Sequence, residues 1–437
     1  MSSADLTAIR FIAESTIGVT PDNSAKATGT LTGTANLSDG DTVTLGTKVY
    51  TFESSLTNVD GHVKIGASLT ATLLNFKNAI NLDAGTPGTD YATATTEHPT
   101  IEATASNATT VSLRAKSAGT AGNSLATTET STNASFGGAT LSGGANSSTT
   151  TYTQLRYTGE SLNFNIENTK TAEIRPDRTE TDLIQTSAAA SGDVNIELSY
   201  GTFDDLLAAV FCNDWATNVL KNGSIRKSFT FQKDFQDATP EQFHNFRGTC
   251  VEGLNLKMEI GKIVEGSFSL MSFGLDPDTG VTTAQVPGAT TAAVSTTSPM
   301  NAVTNLQDFA VDGVPYSGCI SSLGLQIKNN IRAIQCIGSL TARDMKLGTL
   351  EVTGDMEFYF NDGSNFDKFV KGTEFSFTFS LEDNAGNRYD FVFDRVKFES
   401  GEVVAGGKNS DVMFSAKWRG LYHAGNARVL QLTRTPA

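Results

Sequence analysis

The clearest pattern in the chain is a strict alternation of apolar and polar residues near its C-terminal end. In Glu374-Phe-Ser-Phe-Thr-Phe-Ser-Leu381, residues Phe375, Phe377, Phe379 and Leu381 fall on one side. Asp383-Asn-Ala-Gly-Asn387 has the composition of a turn, and Tyr389, Phe391 and Phe393 then alternate again. A period of two predicts a hairpin with one face on a core. Asp41–Leu45 and Lys48–Phe52 repeat the pattern around Gly46, and strands are also expected at Thr100–Ala105 and Thr110–Ala115. Helical spacing is rare. Leu69, Leu73, Leu74, Phe76 and Ile80 predict one helix, with Ser68 as its cap. Thr202–Phe211 predicts another, with Thr202 and Asp205 as a capping-box-like start and Phe203, Leu206, Leu207 and Val210 along one side. The chain is expected to be mainly β.

The strand and helix signals recur. Residues 191–207 read SGDVNIELSYGTFDDLL and residues 353–370 read TGDMEFYFNDGSNFDKFV. Gly192 matches Gly354, Asp193 matches Asp355, Phe203 matches Phe366 and Asp204 matches Asp367. Ser228-Phe-Thr-Phe recurs as Ser376-Phe-Thr-Phe, Phe268–Gly274 as Phe414–Gly420, and Leu162–Asn168 as Leu323–Asn329. Matched blocks in one order predict a tandem duplication of one β-rich fold. The alternative is that two strand–helix–strand units look alike because the same physics shapes both.

Composition divides the chain further. Residues 25–148 are dominated by Thr, Ala, Ser and Gly, and predict a small α+β, β-rich module with little apolar area to bury. Ala284–Val303 carries no charge and two prolines, and reads as a linker between the copies. The expected division is an arm at 1–24, the polar module at 25–148, copy one at 149–283, the linker at 284–303 and copy two at 304–437. The arm, over Thr7–Thr20, could add a strand to a neighbour's sheet edge.

The chain has 437 residues and a formal net charge of −15. An acidic protein is a poor static binder of DNA or anionic lipid, because phosphate contacts need Lys and Arg. No apolar run is long enough to span a membrane, and the start of the chain does not read as a secretory signal. Cys212, Cys250, Cys319 and Cys336 form no CxxC pair, fit a reducing compartment, and read as buried small hydrophobes. His62, His98, His244 and His423 are scattered and read as surface or loop residues. Asp276-Pro-Asp-Thr-Gly280 starts like a calcium loop, but Pro287 stands where the bidentate Glu is needed, so it reads as a turn. The pairs Asp204/Asp205 and Asp355/Glu357 read as helix-start acids and solvated strand positions. No nucleophile elbow, P-loop, dinucleotide fingerprint or zinc-protease motif is present. Neither enzymatic activity nor a cofactor is expected.

Thr7–Pro21 (TAIRFIAESTIGVTP), Leu155–Leu162 (LRYTGESL), Ala172–Arg178 (AEIRPDR) and Ser191–Leu207 together resemble the major tail tube proteins of long-tailed, siphovirus-type bacteriophages. The resemblance covers the start of the chain and most of 151–437. It implies a β-sandwich or partial barrel with one flanking helix, here present twice. Six such folds make a ring, and stacked rings make a hollow tube through which double-stranded DNA passes without specific binding. Two folds per chain imply homotrimeric, pseudo-sixfold rings, with homohexamers as the alternative. The implied partners are other copies, the tape measure, the tail terminator and the distal tail protein, with no membrane. The implied location is the virion tail, after synthesis in the host cytoplasm. The module at 25–148 resembles the decoration domains of tail exteriors. A host-surface adhesin using 25–148 as its binding module is the competing reading. Loops 175–191 and 336–353 are expected to contact neighbouring subunits or rings through Arg175, Asp177, Arg178, Asp182, Arg343 and Asp344. Asp193, Glu197, Asp355 and Glu357 are candidates for an acidic lumen, and an acidic wall would keep DNA from sticking.

Overall fold

The Phe-rich alternation near residue 380 folds as a hairpin. Phe377 faces Phe393 and Phe379 faces Phe391, with the rings stacked at 4.5 and 4.7 Å between centroids. The computed structural model describes residues 6–275, 286–303, 306–361 and 363–437, so the candidate calcium loop at 276–280 lies outside the described residues. The protein is mainly β, with several sheets and, among the described residues, three α-helices. It divides into a larger unit (residues 1–21, 152–283 and 291–437) and a smaller one (22–151 with 284–290).

The larger unit is built from β1 (Thr7–Ala13), β2 (Thr151–Gln154), β3 (Asn163–Lys170), β4 (Leu183–Glu197), α1 (Asp204–Val210), β5 (Phe229–Phe235), β6 (Gln242–Glu259) and β7 (Glu265–Ser272) in its first half. Its second half contains β8 (Leu306–Val311), β9 (Val314–Pro315), β10 (Ile320–Lys328), β11 (Glu351–Tyr359), α2 (Ser364–Lys371), β12 (Phe375–Glu382), β13 (Arg388–Ala405), β14 (Val412–Gly420) and β15 (Gln431–Thr435). One antiparallel sheet runs through both halves in the order β3-β4-β7-β6-β10-β11-β14-β13. The first four strands come from the first half and the last four from the second, in matching order.

The long strands β6 and β13 each cross from one sheet to another. Their N-terminal parts pair with β5 and β12, and their C-terminal parts join the shared sheet. Each carries a register shift on entering that sheet, one spanning Glu252 and the other Glu399. An extra residue there bends the strand and raises its twist. Between the layers lies one apolar core to which both halves contribute, with Phe229, Phe231, Phe268, Phe377, Phe379 and Trp418 all buried.

In the second half, the β8–β9 hairpin is closed by Asp312 and Gly313 at φ 53° and 74°, the left-handed pair that suits a tight hairpin. At the matching turn of the first half, the chain leaves β1 and returns as β2 only after the smaller unit. That unit has two four-stranded sheets and a helix, Leu69–Asn81, capped by the Ser68 hydroxyl. Tyr50, Phe52 and Phe76 centre its core.

Several expectations are corrected. The arm residues Thr7–Ala13 do not reach for a neighbour: β1 pairs along its whole length with β5 of its own chain and also with β2. Ile9 and Phe11 are buried there, which fixes the strand in place. No capping box starts α1; Phe203 is the cap residue and has no side-chain bond, because the Thr202 hydroxyl bonds Ser199 and Ser295. Within segment 284–303, Met300 is fully buried and bonds the backbone of Leu198 and Val264, which leaves the reading of that segment as a linker between the copies untouched. Cys212 and Cys250 are buried, but Cys319 and Cys336 are exposed. His98 lies in a loop, one of the two places expected, but is buried there. Its Nδ1 accepts from the backbone N–H groups of Ile101 and Thr100, at 2.9 and 3.2 Å. That leaves Nε2–H to donate to the Leu45 carbonyl at 2.9 Å, and fixes the neutral tautomer.

Candidate functional site: one polar sheet face and two loops

Side chains directly opposite each other on paired strands share a face. The shared sheet therefore sorts itself into a buried face and an outer one. Val194, Ile196, Phe268, Leu254, Leu256, Leu323, Leu325, Met356 and Trp418 turn into the core. The outer face carries rows of polar residues that cross both halves. One row runs Asn195, Ser267, Asn255, Gln326, Thr353, Arg419 and Lys397. Beside it run Glu197, Glu265, Lys257, Gly324 and then Asp355 and Lys417. A third row has Glu259, Ser322, Glu357, Ser415 and Glu402, and a fourth has Asp193, Ser269, Gly253, Lys328 and Glu351.

The structure thus brings Asp193, Glu197, Asp355 and Glu357 onto one face of one sheet. Asp193 accepts from the Ser269 hydroxyl at 2.6 Å, and Glu357 from those of Ser321 and Ser415 at 2.6 and 3.1 Å. Sequence reading missed their neighbours Glu259, Glu265, Glu351 and Glu402, and the cations Lys257, Lys328, Lys397, Lys417 and Arg419. Alternation marks each of them as outward-facing, but only the register puts them side by side. Carboxylates outnumber cations on this face, and the cations are partly neutralised in place. Lys257 and Lys262 grip Glu259 and hold its carboxyl down at about 2. Arg419 pairs with Glu399. What remains is a hydrated surface of modest negative charge.

Two loops leave the same end of this sheet, β3–β4 (171–182) and β10–β11 (329–350). In the first, Arg175 grips Asp177 with two bonds of 3.1 and 2.9 Å and holds that carboxyl at about 2. Asp182 accepts from the N–H of Leu183 at 2.8 Å. Ile174 at the tip is fully exposed. In the second loop, Asp344 is engaged by Lys346 at 2.5 Å and by Arg226 of the first half; together they hold it at about 2. The guanidinium groups of Arg178 and Arg343 are exposed and make no bond among the described residues. The candidate loop charges therefore divide: Arg175, Asp177 and Asp344 are paired within the chain, whereas Arg178 and Arg343 remain open.

No curated protein matches the chain. A family model described as phage tail tube protein matches residues 126–420, and the chain belongs to that family.

Proposed function

We propose that this phage tail tube protein contains two copies of one tube fold, and that three chains, supplying six folds, close a ring. The rings stack into the hollow tail of a siphovirus-type phage. In this reading the outer face of the shared sheet lines the lumen, and double-stranded DNA passes along it during ejection. The observation that carries it is the eight-strand sheet itself: both halves add four strands in one order, and all eight present a single hydrated, mainly acidic face. DNA carries one charge per roughly 1.7 Å of axis. A wall of bare Lys and Arg would hold it, whereas carboxylates and hydroxyls keep it separated by water and salt. Loops 171–182 and 329–350 provide contacts to neighbouring subunits and rings, with Arg178 and Arg343 available for partners. The smaller unit interrupts a turn and not a strand of the tube fold, which suits a domain displayed on the tail exterior. Tape measure, terminator and distal tail proteins are the further partners of this role.

Negative-stain electron microscopy of the purified chain tests the reading. Hollow filaments of regular axial repeat are expected. A chain that stays monomeric at high concentration would count against it.

A further inference from the structure

The smaller unit closes, one by one, the routes by which a β domain takes hold of another surface. Sheet edges are the first route, because unpaired N–H and C=O groups template pairing with another chain. The two sheets of this unit end in the strands Ile101–Ser106, Ala134–Phe136, His62–Lys64 and Thr127–Glu129. The last three have only three residues each. Two of these short strands are also covered by passing chain. Lys64 N–H bonds the Asp90 carbonyl, Ala92 N–H bonds that of His62, and Thr127 N–H bonds that of Ala139. The longest edge is capped by side chains. The Asn81 amide donates to the Ala103 carbonyl at 2.8 Å and accepts from the Ala103 N–H at 2.9 Å. His98 Nδ1 accepts from the Ile101 N–H. A register shift between Ala103 and Ala105 bends what remains of that strand.

The faces of the unit are treated alike. Aromatic and Arg side chains are the usual anchors of a binding surface. All five aromatic residues of 22–151, Tyr50, Phe52, Phe76, Tyr91 and Phe136, belong to the core of the unit or pack against it. Each of its six Lys and Arg side chains is already engaged. Lys26 and Arg114 bond Glu102, Lys48 bonds Asp60, Lys77 bonds Asp83, Lys116 bonds Glu97 and Lys64 bonds the Ser54 carbonyl. Ten Asp and Glu stand against those six cations, so the unit keeps a net negative charge. The side chains that alternation turns outward are largely hydroxyls. Thr28, Thr30 and Thr32 lie beside Ser112 on one sheet, and Thr42 and Thr44 beside Thr128 on the other. Such a surface holds water well, and its charge repels its own kind.

We propose that the smaller unit is a hydration coat, which keeps assembled tails from adhering to one another and to the surfaces they meet. This rests on the tube reading, in which the unit is displayed on the exterior, and gives the unit a function that needs no ligand.

The test is Thr28→Val with Thr30→Val and Thr32→Val in the full chain. Valine keeps the branched shape and strand preference of threonine and exchanges only a hydroxyl for a methyl. All three positions are exposed, so the variant should fold and polymerise as the parent does. In electron micrographs, parent tubes are expected to lie apart and variant tubes to gather in side-by-side bundles, with a several-fold rise in turbidity. Asn81→Ala, which bares the Ala103 edge, should raise bundling by an independent route. Variant tubes as dispersed as those of the parent would overturn the coat and leave the tube reading standing. A triple variant that folds but forms no tubes would make that face an assembly contact and refute the coat as well. So would saturable retention of parent tubes on phosphatidylglycerol vesicles or on an array of bacterial surface polysaccharides, the result an adhesin would give. A parent chain that forms no tubes overturns the tube reading and the coat with it.

Discussion

Tyr389→Phe is the sharpest test of how the two halves are held as one body. Tyr389 belongs to β13 of the second half and is fully buried. Its hydroxyl donates to Asp204 at the start of α1, in the first half, at 2.5 Å, and accepts from the Gly201 N–H at 2.9 Å. Arg434 pairs with the same carboxylate and lies over the Trp215 ring, 4.5 Å from its centroid. The substitution removes one oxygen and leaves the ring packing against Tyr200 intact. A hydrogen bond to a charged group contributes about 1.5–3 kcal/mol. Gly201 is exposed, so its N–H can turn to water and adds little to the loss. The expected destabilisation is therefore about 1.5–3 kcal/mol. Urea unfolding followed by tryptophan fluorescence reads it, since Trp215 donates to the Asp204 carbonyl at 3.0 Å; the midpoint should fall with an unchanged slope. A double-mutant cycle with Asp204→Asn should show coupling of roughly 1 kcal/mol or more. Strict additivity, or a loss under about 0.5 kcal/mol, would refute the view that this cluster ties the halves together.

Three further outcomes are expected. Burial lowers the pKa of His98 below its ordinary value, so the unfolded chain binds its proton more readily. The smaller unit should be most stable above about pH 6.5 and lose stability as pH falls below it; His98→Gln should flatten that part of a melting-temperature profile, and an unchanged profile would exclude the effect. Gly354→Ala would place a Cβ 2.0 Å from the Gly324 carbonyl oxygen and 2.6 Å from the Trp418 ring. The backbone contact cannot yield, and a loss of about 1–3 kcal/mol or more is expected in denaturant titration; a neutral result would mean the sheet spreads freely there. Arg178→Glu combined with Arg343→Glu should leave the circular dichroism spectrum unchanged and abolish sedimentable polymer, and normal polymer would show that these side chains are only solvated.

How much of this was legible in the sequence depended on distance along the chain. The 375–393 hairpin and the helix after Ser68 were readable because a period of two or of 3.6 and a local cap decide them. The polar face was not, because it depends on which strand lies beside which. Asp193 and Asp355 could be singled out on their own strands, but Lys257 and Glu259 join Asp193 only through the β4–β7 and β7–β6 pairings and Asp355 only through β6–β10 and β10–β11. The matched blocks show the same limit. Sequence similarity aligns Phe268 with Phe414, whereas the register aligns it with Ala416, two residues on. A slip of two preserves which face each side chain takes, so alternation alone cannot detect it. The 18-residue strands β6 and β13 were hidden because the register shifts at Glu252 and Glu399 interrupt their alternation. Cys319 and Cys336 looked buried because their neighbours are apolar, yet both lie at exposed ends of strands and loops.

The central claim is that the polar face shared by both halves is the wall of the conduit. A cryo-electron microscopy reconstruction of the assembled tube tests it most directly. Three chains per ring are expected, with Asp193, Glu197, Asp355 and Glu357 on the luminal surface. A tube in which that face points away from the lumen would contradict the account.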